Sequence, residues 1–286
     1  MSPQEMPYGN DSNMSVVKKR KKNTIELFLT KKARKEKIAV LTAYDTFTAS
    51  LLDKAGVDSI LVGDSAGNVI HGFASTTSVT LDMMLMHVAA VTRGNEKALL
   101  IADMPFLSFQ PSIETAVRNA GRFLQEAGAE AVKMEGGIEM VPTIKRVVEC
   151  GIPVMGHIGM TPQSINRFGG PKVQGREDKS RAYLLESAQA LQEAGCFSCV
   201  LELMEAETAK EITEYLDRMA TIGIGAGPHC DGQVLVINDI LGLVEPGFKP
   251  KYVRQYADLA PIISDAATKF ISDVREGNYP SDDESF

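Results

Sequence analysis

Short apolar runs alternate with longer segments of helical period along most of the chain. The runs are rich in Val, Ile and Leu and lie at residues 38–45, 59–65, 98–106, 131–135, 152–159, 198–204, 221–225 and 234–239. Alternation of buried strands with helical crossovers is typical of a parallel β-sheet. Eight strands with mostly helical connections favour a closed (β/α)8 TIM barrel, of the α/β class, over an open doubly wound sheet.

The segment between the third and fourth runs has the clearest helical period. Its apolar stripe consists of Ile113, Ala116, Val117, Ala120, Phe123, Leu124 and Ala127. This spacing predicts an amphipathic helix packed on the sheet. Glycines follow this and other predicted helices at positions 56, 128, 151 and 195. Because glycine adopts positive φ without steric cost, these positions predict helix ends.

Two places depart from a regular alternation. The link over residues 225–234 is too short for a full crossover helix, so either the last strand is misplaced or the barrel is irregular there. Residues 252–276 predict a closing helix that covers the barrel or exchanges with a neighbouring subunit. We therefore predict a flexible N-terminal arm over residues 1–23 and a single (β/α)8 barrel domain over residues 24–286.

Composition and charge narrow the range of partners. The chain has 286 residues, 44% of them hydrophobic, and a net charge of −7, which indicates a globular protein and argues against nucleic acid as a partner. A basic run at residues 18–22 is typical of a solvated arm. We find neither the roughly 18 apolar residues of a membrane span nor a signal peptide, so we expect a cytoplasmic protein without a membrane partner.

The four cysteines, Cys150, Cys196, Cys199 and Cys230, are too few and too irregular for a disulfide framework. Cys196 and Cys199 have C-x-x-C spacing but begin an apolar strand, whereas redox thiols are activated at a helix N-terminus. We therefore expect buried structural cysteines. A second C-x-x-C pair that would complete a zinc site is missing from the sequence.

Carboxylates recur at the carboxyl ends of the apolar runs. They are Asp64, Asp103, Glu135 and Glu202. In a barrel these ends meet on the face where active sites are built. A lone acidic residue there usually caps a turn, but several together are costly unless a cation lies among them. All-oxygen ligands without a His or Cys cluster favour Mg²⁺ over Zn²⁺.

Three further features lie at the same ends. Lys133 precedes Glu135 by two residues, so both side chains point to one side of the strand. Such a lysine either neutralises an anionic substrate, reaches solvent or pairs with Glu135 alone. His157 either hydrogen-bonds a substrate or orients a neighbour. Gly223-Ile-Gly-Ala-Gly227 predicts close packing more than a phosphate loop, because Pro228 follows where helix amides are needed.

Several motifs occur in the order of a known family. They are Val62-Gly-Asp-Ser65, Asp103-Met-Pro-Phe106, Lys133-Met-Glu-Gly-Gly137, Gly156-His-Ile-Gly-Met-Thr-Pro-Gln-Ser164, Lys172-Val-Gln-Gly-Arg176, Gly223-Ile-Gly-Ala-Gly227 and Asp231-Gly-Gln-Val-Leu-Val236. With them, residues 24–286 closely resemble the ketopantoate hydroxymethyltransferase family. So many motifs in order are far more specific than any single one.

The resemblance implies a barrel of the phosphoenolpyruvate/pyruvate superfamily. Its enzymes transfer a one-carbon unit from 5,10-methylenetetrahydrofolate to the small 2-oxo acid 3-methyl-2-oxobutanoate, which gives 2-dehydropantoate for pantothenate synthesis. Mg²⁺ is the implied cofactor, and a homo-oligomer, commonly a decamer of two rings, is the implied assembly. The matching metal ligands are Asp64, Asp103 and Glu135. The matching substrate contacts are Asp64, Ser65, Asp103 and Lys133. Glu202 matches the general base.

Two alternatives remain open. A lyase or mutase of the same superfamily would also use 2-oxo acid enolates, but it should carry a reactive cysteine in a K-x-C-G-H context, which none of the four cysteines has. A non-catalytic barrel that binds a metal or metabolite would have no need of a base such as Glu202. The chain departs from many relatives after Gly227, where it has Pro228-His229-Cys230. This departure concerns the shape of that loop and not the carboxylates.

Overall fold

The computed structural model describes residues 21–244 and 250–286, and within them eight parallel strands close into a barrel in sequence order. The strands are β1 (Ile38–Thr42), β2 (Ser59–Val62), β3 (Leu99–Asp103), β4 (Ala131–Glu135), β5 (Val154–Gly159), β6 (Ser198–Glu202), β7 (Ala220–Ile224) and β8 (Gly232–Leu235). The last strand pairs with the first. The predicted (β/α)8 TIM barrel is confirmed.

Helices alternate with these strands. In the described residues they are α1 (Glu26–Ala33), α2 (Thr46–Ala55), α3 (Ala66–Val69), α4 (Leu81–Gly94), α5 (Ile113–Gln125), α6 (Val141–Glu149), α7 (Ile165–Phe168), α8 (Asp178–Glu193), α9 (Ala206–Tyr215), α10 (Ile237–Leu241) and α11 (Leu259–Glu276). The predicted stripe is confirmed on α5, which buries Ala116, Ala120 and Phe123. The glycines at 56, 128, 151 and 195 have φ between 80° and 96°, which confirms them as helix ends.

The position predicted for the last strand was partly wrong. β8 begins at Gly232, before the predicted run at 234–239, and Ile237 already starts α10. The side chain of Ile237 is buried, and its backbone N–H donates to Thr42 Oγ1 at 3.0 Å. A short apolar run does not distinguish a strand from a buried helical turn, which explains the error.

The joint between β7 and β8 is irregular, as one of the two predicted alternatives required. Residues 225–231 form no helix. Gly232 pairs with Ile222 in the middle of β7. The first residue of β8 therefore lies beside the middle of β7 and not beside its first residue. The Asp231 carboxylate accepts hydrogen bonds from the Thr221 backbone N–H (2.8 Å) and hydroxyl (3.2 Å). These bonds fasten the short loop to the start of β7.

The strand side chains form two apolar layers. One layer fills the barrel and consists of Ile38, Val40, Leu61, Leu99, Ile101, Ala131, Met155, Phe197, Val200, Ala220, Ile222 and Val234, with Phe28. Alternate positions such as Leu100 and Val132 pack in the other layer, with the helices. Since strand side chains alternate between faces, the inward positions of each strand can be followed to its carboxyl end.

Helix α1 closes the amino-terminal end of the barrel. Phe28 is fully buried, and its ring meets that of Phe197 edge-on with 5.3 Å between the centroids. An aromatic ring in this position stabilises the fold by apolar burial and by its contact with the second ring. The base of the barrel is therefore a packed core.

Two ion pairs fasten α1 to the same end. Lys31 Nζ lies 2.6 Å from Asp58 Oδ2, and Lys32 Nζ lies 2.8 Å from Asp231 Oδ2. Asp58 precedes β2 and Asp231 precedes β8, so the two pairs join the helix to separate strands. Each of these two ammonium groups has its own carboxylate.

Most of the predicted arm, residues 1–23, lies outside the described residues. Its last two residues contact the barrel: Lys22 Nζ donates to the Ala98 carbonyl at 2.8 Å, and the Asn23 backbone N–H donates to the Lys97 carbonyl at 2.7 Å. These bonds place Lys22 and Asn23 against the start of β3.

Helix α11 was predicted over residues 252–276, and it spans Leu259–Glu276. It contains no buried residue, and every residue from 261 onward is exposed. Its exposed apolar residues include Ile262, Ile263, Phe270, Ile271 and Val274. Within one chain, therefore, α11 does not cover the barrel. No described helix is long and apolar enough to cross a bilayer.

The cysteines of the described residues are free. Cys196, Cys199 and Cys230 are buried, as predicted for structural cysteines, whereas Cys150 is exposed. Burial raises the pKa of the Cys196 thiol to about 12, so this thiol stays protonated and unreactive near neutral pH.

Candidate active site

Polar residues end the inward-facing positions of three neighbouring strands. The inward series are Leu99, Ile101 and Asp103 on β3, Ala131, Lys133 and Glu135 on β4, and Met155 and His157 on β5. The strand register sets Asp103 beside Lys133 and Glu135 beside His157. All four side chains are buried. The alternation of side chains along each strand points apolar residues into the barrel. At the carboxyl end of the barrel, the same alternation brings these polar groups together.

Lys133 lies inside this cluster. Its Nζ is 2.8 Å from Asp103 Oδ1, 3.9 Å from Glu135 Oε1 and 3.1 Å from His157 Nδ1. Burial alone would lower the pKa of Lys133, but the surrounding carboxylates outweigh it and raise the pKa above its ordinary value. The prediction that Lys133 and Glu135 share one side is confirmed. Lys133 neither reaches solvent nor pairs with Glu135 alone.

Asp64 joins the cluster from the turn after β2. Its backbone N–H donates to Asp103 Oδ2 at 3.1 Å, which holds the turn against β3. Burial, followed by the charges of Asp103 and Glu135, raises the pKa of Asp64 well above its ordinary value. Burial raises the pKa of Asp103 as well. The carboxylates are therefore held close together in spite of their mutual repulsion.

Glu202 ends β6 on the same face. The register pairs it with Gly159 of β5, and a Cβ on Gly159 would lie 2.3 Å from the Glu202 carbonyl oxygen. Only glycine permits this close approach. Leu203 then has a positive φ of 44°, a strained conformation of the kind that clusters at functional sites. The backbone around Glu202 is thus fixed on both sides.

His157 connects Glu202 with the cluster. Its Nε2 lies 3.2 Å from Glu202 Oε2, and its Nδ1 lies 3.3 Å from Glu135 Oε1. Burial and the Lys133 ammonium each lower the pKa of His157, but the two carboxylates outweigh them and raise it to about 9. The ring lies at ion-pair distance from two carboxylates, which is the arrangement that the second predicted role, orienting a neighbour, requires; a hydrogen bond to substrate stays a prediction.

Ser65 begins the short helix α3 next to Asp64. Its Oγ lies 2.8 Å from Tyr44 Oη, and Tyr44 is buried at the end of β1. Tyr44 had no predicted role. The rule that singled out the carboxylates, a polar residue directly after an apolar strand, would also have found it.

Gln163 is the second residue that the sequence analysis missed. It lies in a 3₁₀ turn, Pro162–Ser164, after β5, and its side chain is buried. Its backbone N–H donates to Glu135 Oε2 at 3.0 Å, and its amide Nε2 donates to Asp64 Oδ2 at 3.0 Å. Gln163 belongs to a motif quoted above, but nothing in the strand pattern assigns it to the cluster.

The chemistry of the cluster fits a divalent cation. When ionised, Asp64, Asp103 and Glu135 carry three negative charges; the cations beside them are Lys133 and protonated His157, and His157 is shared with Glu202. Asp103 Oδ1 and Glu135 Oε1 are buried and lie at ion-pair distance from these cations, but they accept no hydrogen bond of good geometry. Negative charge therefore remains in excess, and both oxygens have bonding capacity for a further cation or its water ligands. An all-oxygen donor set suits Mg²⁺.

No three acidic, His or Cys side chains of the described residues converge on one point as they stand. Mg²⁺ usually keeps several of its waters and takes only one or two carboxylates directly. The separation of the carboxylates is therefore compatible with a hydrated ion.

The glycines of residues 223–227 pack closely, as predicted. A Cβ on Gly223 would lie 3.0 Å from Cys230 Sγ, and one on Gly227 would lie 2.7 Å from the Ala206 Cβ. Gly227 also accepts a hydrogen bond from Gln233 Nε2 at 3.0 Å through its carbonyl. The loop is tied down by neighbouring side chains at the barrel mouth.

Comparison with known proteins decides the family. The sequence profile of the ketopantoate hydroxymethyltransferase family matches residues 22–282. The chain belongs to this family. A relative from Trichlorobacter lovleyi, named 3-methyl-2-oxobutanoate hydroxymethyltransferase, is 56% identical over 93% of this chain and 99% of its own length. A relative of the same name from Syntrophomonas wolfei is 51% identical over 92% of this chain and 95% of its own.

Membership makes the protein an enzyme, a hydroxymethyltransferase. Solved structures agree in fold: 2,3-dimethylmalate lyase has a TM-score of 0.57 at 16% identity, with 92% of this chain and 91% of that chain covered. Phosphonopyruvate hydrolase also has a TM-score of 0.57, at 13% identity, with 92% and 93% covered. At this identity the likeness concerns the barrel alone.

Proposed function

We propose that this hydroxymethyltransferase transfers a one-carbon unit from 5,10-methylenetetrahydrofolate to 3-methyl-2-oxobutanoate and forms 2-dehydropantoate, the first step of the pantothenate pathway. The observation that carries the proposal is the position of Glu202. Its carboxylate lies at the barrel mouth, 3.2 Å from His157, and β5 alone separates its strand from that of Glu135. A base beside a cation site is the arrangement that enolisation of a 2-oxo acid requires.

Asp64, Asp103 and Glu135 would hold Mg²⁺ in this proposal. The ion supplies Lewis acidity to the bound 2-oxo acid, which lowers the pKa of its C3 proton. Lys133 offsets the charge of the substrate carboxylate, and Ser65 offers a hydroxyl at the edge of the same site. Asp64 and Asp103 form its wall on the β2 and β3 side.

Glu202 would take the C3 proton. The electron pair released at C3 then forms a bond to the one-carbon unit, which leaves the folate nitrogens, while water supplies the hydroxyl oxygen. His157 holds the Glu202 carboxylate in place through its Nε2 contact of 3.2 Å.

We also propose that the enzyme is a homo-oligomer, in which a second copy covers the apolar side chains that α11 leaves exposed. The family resemblance implies a decamer.

The rival lyase or mutase activity has less support. Such an enzyme would use a reactive cysteine at the carboxyl end of the strands, whereas Cys196, Cys199 and Cys230 are buried within the fold and the exposed Cys150 lies before the amino-terminal end of β5. Burial raises the pKa of each of these thiols, which opposes formation of a nucleophilic thiolate.

The test is exchange of the C3 proton of 3-methyl-2-oxobutanoate in deuterated water, followed by NMR with Mg²⁺ present and folate omitted. The wild-type protein should exchange the proton, and EDTA should stop the exchange. Glu202→Gln should slow it by about 10²–10⁴-fold, the range typical of a general base. Calorimetry should show that this variant still binds the 2-oxo acid and Mg²⁺.

The matched control is Glu207→Gln. Glu207 lies five residues away with a side chain that is 70% exposed, and its substitution should leave exchange unchanged. A Glu202→Gln protein that exchanges at the wild-type rate would refute Glu202 as the base. Loss of substrate binding in that variant would make Glu202 a binding residue instead.

A further inference from the structure

Gln163 is the buried amide that contacts the carboxylate cluster. It donates one hydrogen of Nε2 to Asp64 Oδ2 at 3.0 Å and the other to the Met104 carbonyl at 2.9 Å. Its Oε1 accepts from Gln110 Nε2 at 3.0 Å. The amide therefore has a partner for both of its hydrogens and for its oxygen, and a flip would set its oxygen against two acceptors. Its orientation is fixed.

Three uncharged N–H groups hold one oxygen of each carboxylate. The Gln163 amide holds Asp64 Oδ2, the Gln163 backbone N–H holds Glu135 Oε2, and the Asp64 backbone N–H holds Asp103 Oδ2. The opposite oxygens of Asp103 and Glu135 face cations of the chain: Asp103 Oδ1 lies 2.8 Å from Lys133 Nζ, and Glu135 Oε1 lies 3.3 Å from His157 Nδ1. Neither oxygen accepts a hydrogen bond of good geometry. Neutral donors thus orient each carboxylate through one oxygen, and they leave the second oxygens of Asp103 and Glu135 to positively charged partners, which a divalent ion can join.

Because these donors are uncharged, they do not reduce the negative charge of the cluster. A lysine or arginine in place of Gln163 would orient Asp64 equally well, but it would add a positive charge to a cluster that already contains Lys133. The charge left for a divalent ion would then fall. An amide fixes the carboxylate and leaves its charge uncompensated.

We propose that Gln163 is a positioning residue for the metal site. From one turn it orients carboxylates that come from two different strands, and it selects which oxygens face the ion. Gln110 acts through it by holding the amide oxygen. The inference rests on the proposed function, since it assumes that the cluster of Asp64, Asp103 and Glu135 binds Mg²⁺.

The test measures Mg²⁺ binding to the metal-free protein by calorimetry, without substrate. Gln163→Met keeps the length of the side chain and removes its donors. We expect a dissociation constant about 10–100-fold above that of the wild type, the range found when groups that orient metal ligands are removed. The control is Gln189→Met, the same substitution on the exposed face of α8, and it should bind Mg²⁺ as the wild type does.

A second variant separates positioning from general support of the fold. Gln110→Met should weaken Mg²⁺ binding less than Gln163→Met does, and the double variant should bind no more weakly than Gln163→Met alone, because Gln110 acts only through Gln163. This series also keeps the inference testable if Gln163→Met does not fold. Additive losses in the double variant would contradict the proposed order of action.

The outcomes distinguish this inference from the proposed function. If the wild-type protein binds no Mg²⁺, the metal-dependent part of the proposed function fails, and this inference fails with it. If the wild type binds Mg²⁺ and Gln163→Met binds it equally well, only the role of Gln163 is overturned. A lower melting temperature in EDTA with an unchanged dissociation constant would give Gln163 a purely structural role and would also overturn the inference.

Discussion

The two ends of the barrel treat charge differently. At the amino-terminal end, Lys31 pairs with Asp58 and Lys32 pairs with Asp231, one ammonium for each carboxylate. At the carboxyl end, Asp103 and Glu135 share the ammonium of Lys133, and Glu135 and Glu202 share the imidazole of His157. In the two pairs at the first end each charge has its own partner, whereas the described residues of the second end have an excess of negative charge that an external cation can neutralise.

Hydrogen bonding differs in the same way. Asp58 Oδ2 accepts from the Ala39 backbone N–H at 2.8 Å in addition to its ion pair, and Asp231 accepts from both the backbone and the hydroxyl of Thr221. At the other end, Asp103 Oδ1 and Glu135 Oε1 accept no hydrogen bond. Unused bonding capacity in a buried group costs stability. In the described residues Asn95 Oδ1, before β3, also lacks a partner, but the unpartnered carboxylate oxygens belong to the cluster at the carboxyl end, and their position indicates where a cation binds.

The largest expected effect comes from a substitution in the carboxylate cluster at the carboxyl end of the barrel. Lys133→Met removes the ammonium that contacts Asp103 and Glu135, so that buried Asp103 loses its ion-pair partner among the described residues. Loss of one partner of a buried ion pair costs about 3–5 kcal/mol, so we expect a fall of that size in the free energy of unfolding, measured by urea titration in EDTA. Activity should be lost as well. Mg²⁺ should restore part of the stability, because it supplies the missing positive charge.

Lys210→Met is the control for this prediction. Lys210 pairs with Glu207 on the surface, at 3.7 Å and with 40% of its side chain exposed. A surface substitution of this kind changes stability by no more than about 0.5 kcal/mol. If Lys133→Met were as stable as Lys210→Met, the Lys133 ammonium would not be what holds the carboxylates together.

The next effect comes from the amino-terminal end. Phe28→Ala opens a cavity beneath the barrel, and a buried Phe→Ala substitution costs about 3–5 kcal/mol. Below its lowered unfolding temperature the variant should keep the wild-type kcat, because Phe28 is remote from the carboxylates. Leu29→Ala on the exposed side of α1 is the matched control, and it should cost well under half as much. A fall in kcat at full folding would show that the two ends are coupled.

Most of the barrel follows from the sequence because one rule governs it. Side chains alternate along a strand, so apolar runs such as 98–106 and 131–135 fix both the strands and the inward positions at which Asp103, Lys133 and Glu135 must meet. Those residues could be assigned to one site before any coordinates. The position of β8 could not, because Ile237 continues an apolar run while its backbone N–H bonds to Thr42, a contact far away in sequence.

Gln163 was missed for a related physical reason. It follows β5 in a turn, where no period fixes the direction of a side chain, and its partners come from the β2 and β4 ends.

The exposure of helix α11 could not be predicted from its sequence either. Its apolar residues predict a buried face, but the sequence does not specify which surface covers that face.

The smallest expected effect comes from substitution of Asp by Asn. It should change the free energy of unfolding in opposite directions at the two ends of the barrel. Asp64→Asn removes one of several crowded negative charges, while the new amide oxygen can still accept from Gln163. We expect the free energy of unfolding in EDTA to rise by about 0.5–1 kcal/mol, as is common when a functional strain is removed. Asp231→Asn weakens a one-to-one ion pair with Lys32 and should instead cost about 1–3 kcal/mol.

With Mg²⁺ in large excess, the wild type should become more stable than Asp64→Asn. Only the wild type gains binding energy, about 2.7 kcal/mol at a concentration 100 times the dissociation constant. Destabilisation by Asp64→Asn in EDTA would mean that Lys133 already neutralises the cluster, and the contrast between the two ends would lose its electrostatic basis.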